Sequence, residues 1–305
     1  MKDTVFFRQA ELLIRILPLI HAEHVFALKG GTAINFFVRD LPRLSVDIDL
    51  AYLPVNERDA ALRDIRNTLI RISENINKRV PGTKVVYKNI HGTDVIKGMI
   101  VHREAVTVKI EPNLVLRGSV YQPETKTLSK KAQDLFELSV ECCTLSTDEL
   151  YAGKICAALD RQHPRDLFDV HILLKNEGLN DEIRKAFIVY LISHPRPMIE
   201  ILNPIFMDIR TVFETEFESL IAESVVCEDL SATRKRLVSM ILSELTTQEK
   251  EFIVSVKEGA PKWELLGLEG IEHLPAVRWK LLNIGKMKPS KHKEAVRKLR
   301  HYLGV

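Results

Sequence analysis

No apolar run among the 305 residues approaches the roughly 20 that a membrane-spanning helix needs. No membrane partner is therefore expected. The opening segment, MKDTVFFRQAELL, places charges where a secretory signal would keep its apolar stretch, so a cytoplasmic protein is expected. Cysteine is scarce. Cys142, Cys143, Cys156 and Cys227 form no CxxC pair and have no histidine at zinc-ligand spacing. That argues against a disulfide framework or a zinc site, and for reduced, buried structural thiols. His21 and His24 lie three apart but lack a third ligand, and His163, His273 and His301 are scattered. Internal repeats and low-complexity segments are absent. So is the GxxxxGK[ST] spacing of a P-loop.

Hydrophobic residues make up 46% of the chain and charged residues 28%, a balance that supports one large globular domain or two modest ones. The net charge of +3 is unevenly spread. From Arg278 to the end, Arg278, Lys280, Lys286, Lys288, Lys291, Lys293, Arg297, Lys298 and Arg300 face the single acid Glu294. That segment carries +8 and leaves −5 for the remainder. An acidic body with a basic tail suggests a polyanionic partner, the plainer alternative being a solvated helix face. Trp263 and Trp279 are read as helix-packing residues rather than base-stacking ones.

A helix is expected from Thr4 to about Ala22, bent or ended by Pro18. Val25 to Leu28 reads as a short strand, broken by Gly30-Gly31, after which Thr32 caps a helix through Phe37. Ser45 to Tyr52 sets Val46, Ile48 and Leu50 against Asp47, Asp49 and Ala51, the period of two of a strand with one polar face. From Asn56 a helix carries the stripe Leu62, Ile65, Leu69, Ile72 and Ile76. Lys84–Ile90, Val95–Val101 and Ala105–Glu111 read as strands. Beyond Leu145 the signals are helical: Ser146–Arg161, Pro164–Lys175, and further helices broken by Pro195, Pro204, Pro261 and Pro275. The order of elements implies a mixed α/β half followed by an all-helical half.

Most of the chemistry is concentrated in Leu28-Lys29-Gly30-Gly31-Thr32 and Arg43-Leu44-Ser45-Val46-Asp47-Ile48-Asp49-Leu50. Two glycines before a helix start let backbone N–H groups approach an anion, and the Thr32 hydroxyl can add a donor. Asp47 and Asp49, two apart on a strand, share a face and repel each other, a repulsion that a divalent cation such as Mg²⁺ relieves. Ser45 shares that face. Lys29 and Arg43 flank the two segments, where either can neutralise phosphate charge. In the later strand, Val106, Val108 and Ile110 take one face and Thr107, Lys109 and Glu111 the other. Lys154 lies in a helix whose apolar positions suggest burial, and a buried lysine requires a partner. Asp166 opens the next helix, where the helix dipole favours an acid.

These residues together resemble the polymerase-β-type nucleotidyltransferase superfamily, whose signature is an apolar residue, Gly, then Gly or Ser, followed by a two-carboxylate strand. More narrowly, LKGGTAINFF, RLSVDIDL and LYAGKICAALDRQHPRDLFDV resemble the AbiEii/MenT family of nucleotidyltransferase toxins, over about the first 175 residues. The resemblance implies an α+β protein. A polymerase-β-like core, a mixed sheet with flanking helices, would occupy residues 1–145, and an all-helical domain with the basic tail residues 146–305. It implies that Asp47, Asp49 and Glu111 hold Mg²⁺ or Mn²⁺, with Asp94 a weaker alternative to Glu111. Lys29, Gly30, Gly31, Thr32, Arg43 and Ser45 would bind a nucleoside triphosphate. Lys154 would reach its phosphates, and Asp166 would orient Lys154 or the acceptor. The implied acceptor is RNA, the tRNA 3′ end, and the implied role is that of a toxin in abortive phage defence held in check by a separately encoded antitoxin. Two rival readings are a nucleotidyltransferase acting on a small molecule such as an antibiotic, which would want an acidic acceptor cleft, and a non-catalytic binding protein on the same scaffold.

Overall fold

The computed structural model describes residues 4–221 and 225–305. The first apolar stripe forms α1 (Val5–His21), opened by the Thr4 hydroxyl, which accepts a hydrogen bond from the Phe7 N–H at 3.2 Å. Pro18 neither ends it nor removes its last turn, because the Pro18 carbonyl still accepts from the Ala22 N–H. Next come β1 (Phe26–Lys29), the short helix α2 (Gly30–Ala33) and a π-helical turn over Ile34–Val38. Then follow β2 (Asp47–Tyr52) and α3 (Arg58–Arg79), which buries Ile65, Leu69, Ile72 and Ile76 of its expected stripe. The strands β3 (Thr83–Asn89), β4 (Ile96–Arg103) and β5 (Val106–Asn113) form an antiparallel meander. Beyond it lie β6 (Glu124–Thr127), α4 (Lys130–Phe136) and β7 (Glu141–Thr144).

These strands make one mixed sheet in the order β3-β4-β5-β2-β1-β7-β6. Two pairings are parallel, β2 with β5 and β1 with β7, and the rest are antiparallel. Phe26, Ala27 and Leu28 of β1 and Ile48 and Leu50 of β2 are buried, which seats the central strands in the core. β6 and β7 were not expected from the sequence. Each has four residues, and neither ETKT nor ECCT carries a period-two apolar pattern. Cys142 is buried, and burial pushes its thiol up to about 12, whereas Cys143 beside it is only half-buried.

The remaining elements are helical: α5 (Thr147–Asp160), α6 (Pro164–Asn176), α7 (Asp181–Ser193), α8 (Met198–Leu202), α9 (Arg210–Glu216), α10 (Cys227–Glu244), α11 (Thr247–Glu258), α12 (Pro275–Gly285) and α13 (Pro289–Leu303). Their ends follow local chemistry. Pro164, Pro275 and Pro289 open helices, where the missing N–H costs nothing. Asn180 caps α7, and Thr246 with Glu249 forms a capping box on α11. By packing, the described residues of Met1–Leu150 and Ser219–Ser224 form one compact unit, and those of Tyr151–Glu218 and Val225–Val305 form another. No helix among the described residues is long and apolar enough to cross a membrane.

The basic tail is a pair of packed helices. α13 buries Leu299 and Leu303, and the Tyr302 hydroxyl donates to the Leu202 carbonyl at 2.9 Å. Lys280 turns inward from α12, where its ammonium donates to the carbonyls of His194 and Arg196, both at 2.6 Å. Burial, with the nearby charge of Lys257, lowers its pKa to about 8. Trp263 packs against Phe252, ring centres 5.7 Å apart, as expected of a helix-packing residue. Trp279 does not, being 56% exposed.

Candidate active site

Strand β1 ends at Lys29, and the chain turns at once into α2. Gly30 makes that turn at φ +71°, a conformation that favours glycine. A Cβ at Gly30 would stand 2.6 Å from Asp49 Oδ2, so the glycine also makes room for that carboxylate. Lys29 occupies the cap position of α2 without a side-chain cap bond. In the antiparallel register Lys29 stands opposite Asp49, and in the parallel register of β2 with β5 Asp49 stands opposite Glu111. Directly opposed residues share a sheet face. Lys29, Asp49 and Glu111 therefore form a charged row across three adjacent strands, and Asp47 opposite Lys109 forms the next row. Asp47 and Asp49 are half-buried, while Glu111 is exposed.

The expected phosphate donors are arranged differently. Thr32 lies inside α2 rather than at its cap and is 1% exposed. Its hydroxyl is 2.6 Å from the Asp47 carbonyl and 2.8 Å from the Ser45 hydroxyl. A carbonyl only accepts, so Thr32 donates to Asp47 and accepts from Ser45. Both side chains thus brace the start of β2. Arg43, expected beside an open loop, is 3% exposed, and its guanidinium donates to the Leu44 carbonyl at 3.0 Å. A Cβ at Gly31 would meet Arg43 Nη2 at 2.6 Å, so Gly31 admits the guanidinium as Gly30 admits Asp49.

A recess of about 300 Å³ opens beside this row, lined by Lys29, Asp49, Leu50, Lys97, Glu111 and Asn113, among others. Two features here were missed in the sequence. Lys97 adds a second cation. Gly98 removes a side chain where a Cβ would stand 2.8 Å from the Ile110 carbonyl oxygen and 3.2 Å from Glu111 Cγ. An isolated glycine inside a strand pattern is the signal that could have found it, because it marks close approach. Asp94 lies exposed in the loop between β3 and β4, outside both strands.

Among the described residues, no three His, Cys, Asp or Glu side chains form a ready metal-binding cluster. The donor chemistry still suits a hard divalent cation. Asp47 and Asp49 offer only oxygens, and Mg²⁺ is commonly held by one or two carboxylates with phosphate oxygens completing the shell.

Lys154 and Asp166 belong to the helical unit. The Lys154 ammonium donates to Asp166 Oδ1 at 2.8 Å and lies 3.1 Å from Asp169 Oδ2. Arg161 reaches the same Asp166 carboxylate, through Nε at 2.5 Å and Nη2 at 3.0 Å. Lys154, Asp166 and Asp169 are 6%, 1% and 1% exposed, a buried cation and two buried carboxylates joining α5 to α6, which the 63% exposed Arg161 side chain covers from the surface. Burial alone would raise the Asp166 pKa, but the charge of Lys154 and the bonds from Arg161 outweigh it and hold the carboxyl well below its usual range. The turn between them is set by Gln162 at φ +52° and by the His163 ring, which accepts from the Arg165 N–H at 3.1 Å.

Comparison with known families matches residues 11–282 to the model described as "Nucleotidyl transferase AbiEii toxin, Type IV TA system". No curated protein sequence matches the chain. Among solved structures, the chain is similar to MenT4, a nucleotidyltransferase toxin from Mycobacterium tuberculosis H37Rv. The TM-score is 0.61 at 12% identity, covering 97% of this chain and 93% of that one. At that identity the likeness shows the fold.

Proposed function

The chain belongs to the AbiEii family of type IV toxin–antitoxin nucleotidyltransferases, and we propose that it transfers a nucleotide from a nucleoside triphosphate to an RNA acceptor, the 3′ end of tRNA, with a divalent cation held at Asp47 and Asp49. The observation that carries this reading is the charged row Lys29–Asp49–Glu111, with Gly30 packed so closely that only a hydrogen fits beside the Asp49 carboxylate.

In the reaction an acceptor hydroxyl oxygen forms a bond to the α-phosphorus, the α–β bridging bond breaks, and pyrophosphate leaves. A bound Mg²⁺ or Mn²⁺ supplies positive charge to the phosphate oxygens and favours the attacking oxygen. Asp47 and Asp49 hold that charge on the sheet face, and Glu111 extends the carboxylate row toward the recess. Lys29 and Lys97 line the recess and balance phosphate charge there. The backbone N–H groups of Gly30 and Gly31 face the triphosphate, with Thr32, Ser45 and Arg43 holding the segment from behind. Within the helical unit, Asp166 holds and orients the Lys154 ammonium at 2.8 Å. A cationic small-molecule acceptor would want an acidic cleft, and two lysines beside the carboxylates disfavour it. Loss of tRNA function is the toxic outcome, checked by a separately encoded antitoxin.

The test incubates the protein with each labelled nucleoside triphosphate, Mg²⁺ and total tRNA. Label should enter RNA with the wild-type chain and fall to background with Asp49→Asn. If none of the four nucleotides labels any RNA, the RNA acceptor is lost. If Asp49→Asn transfers normally, the site is wrong.

A further inference from the structure

On α12, Trp279 and Leu282 are each 56% exposed. Residues three apart on a helix share a face, so the two form one apolar strip. Arg278 and Lys286, also exposed, stand four residues before and after Leu282. On α13, Lys291, Lys293 and Arg297 are exposed as well. The strip is rigidly mounted. The opposite side of α12 buries Ala276, Val277 and Ile284, and Lys280 ties the helix to two carbonyls. Glu294, the one acid of the segment, is paired with Lys298 at 2.7 Å. Packing does not account for a tryptophan held in water on a fixed helix among cations.

We propose that this face of α12 is a stacking platform for single-stranded RNA. A base lies on the Trp279 indole beside Leu282, while Arg278, Lys286 and the exposed cations of α13 follow the phosphates. Charge complementarity selects the polyanion. The flat aromatic selects a single strand, because a base already stacked in a duplex has no face to offer. The proposal rests on RNA being the acceptor, but it concerns binding and is separable from the chemistry.

The experiment measures anisotropy of a labelled single-stranded RNA of roughly twelve nucleotides, and of the same sequence as a duplex, against the full-length chain. Trp279→Ala should weaken single-strand binding at least about fivefold, and Trp279→Phe should restore most of it, since either ring stacks. Duplex binding should change little. Equal single-strand affinity in Trp279→Ala overturns the platform, as does a Phe variant no better than Ala. If the face instead pairs two copies of the chain, sedimentation will show a dimer lost in Trp279→Ala with RNA affinity untouched, which also overturns it. Trp279-dependent binding by a protein that labels no RNA leaves the platform standing and removes the acceptor assignment. Efficient labelling with an unchanged KM for RNA in Trp279→Ala does the reverse.

Discussion

Gly30 carries two constraints at once: a left-handed backbone, and a hydrogen where a Cβ would stand 2.6 Å from Asp49 Oδ2. Gly30→Ala therefore has to move the carboxylate or the turn. The strain is about 1–2 kcal/mol, small beside the effect on a site whose geometry depends on Asp49. Transfer activity should fall at least about a hundredfold while the melting temperature falls by only a few degrees. An alanine variant with full activity would separate Asp49 from the chemistry. Thr32 permits a finer test. Its hydroxyl supplies a hydrogen bond to the Asp47 carbonyl inside the protein. Thr32→Val keeps the shape and leaves that carbonyl without its donor, at a cost of about 1–3 kcal/mol; Thr32→Ser should recover it. Urea melts with activity assays should show valine impaired and serine near wild type. At this scale the shared face of Asp47 and Asp49 was legible, because a strand period of two is a local property. The roles of Thr32 and Arg43 were not, since α2 and the start of β2 come together only in the fold.

The joint between α5 and α6 is where charge and helix geometry meet. Lys154 and Arg161 converge on Asp166 from one helix and its end, and the chain turns between them at Gln162. Breaking such a buried pair costs about 3–5 kcal/mol, and Asp166→Asn should destabilise the chain by about that amount at neutral pH, measured in urea. The pH dependence has a definite sign. The Asp166 pKa is lower folded than unfolded, where a carboxyl titrates near its ordinary value of 3.8. Its stabilisation is complete above that value and is lost as pH falls below it. Acid melts should thus lose stability below about pH 4 less steeply in Asp166→Asn than in wild type; equal slopes would detach Asp166 from the clasp. The α5 and α6 helices were readable from Pro164 and the apolar spacing. Asp169 as a second partner for Lys154 becomes visible only once α5 and α6 pack together. The sheet was read less fully than the helices: β6 and β7 rest on backbone pairing with each other and with β1, which four polar-leaning residues do not announce.

Across the whole molecule, a net charge of +3 conceals a C-terminal segment at +8 and a remainder at −5. The sequence showed that asymmetry but read the segment as a tail, because α13 is anchored mainly through Leu299 and Leu303 among many charges. Its being two packed helices changes the expectation for RNA binding. Cations on a flexible tail adapt to any polyanion, whereas cations on packed helices present fixed spacings. Lys280 also leaves the count available to a partner, since its ammonium is spent on backbone carbonyls. Lys286, Lys288, Lys291 and Lys293 are exposed, so replacing all four with Gln should leave the fold and the melting temperature nearly unchanged. Each phosphate contact on a single strand contributes about 0.7 to the slope of log affinity against log salt. If all four lysines meet phosphates, the quadruple variant should lower that slope by about 3 and weaken binding most at low salt. Lys78, Lys84, Lys130 and Lys131 are exposed and belong to the sheet unit, so the same four substitutions made there provide the control. A slope that drops equally for both sets would mean that RNA follows net charge alone, and that the paired helices have no particular claim on it.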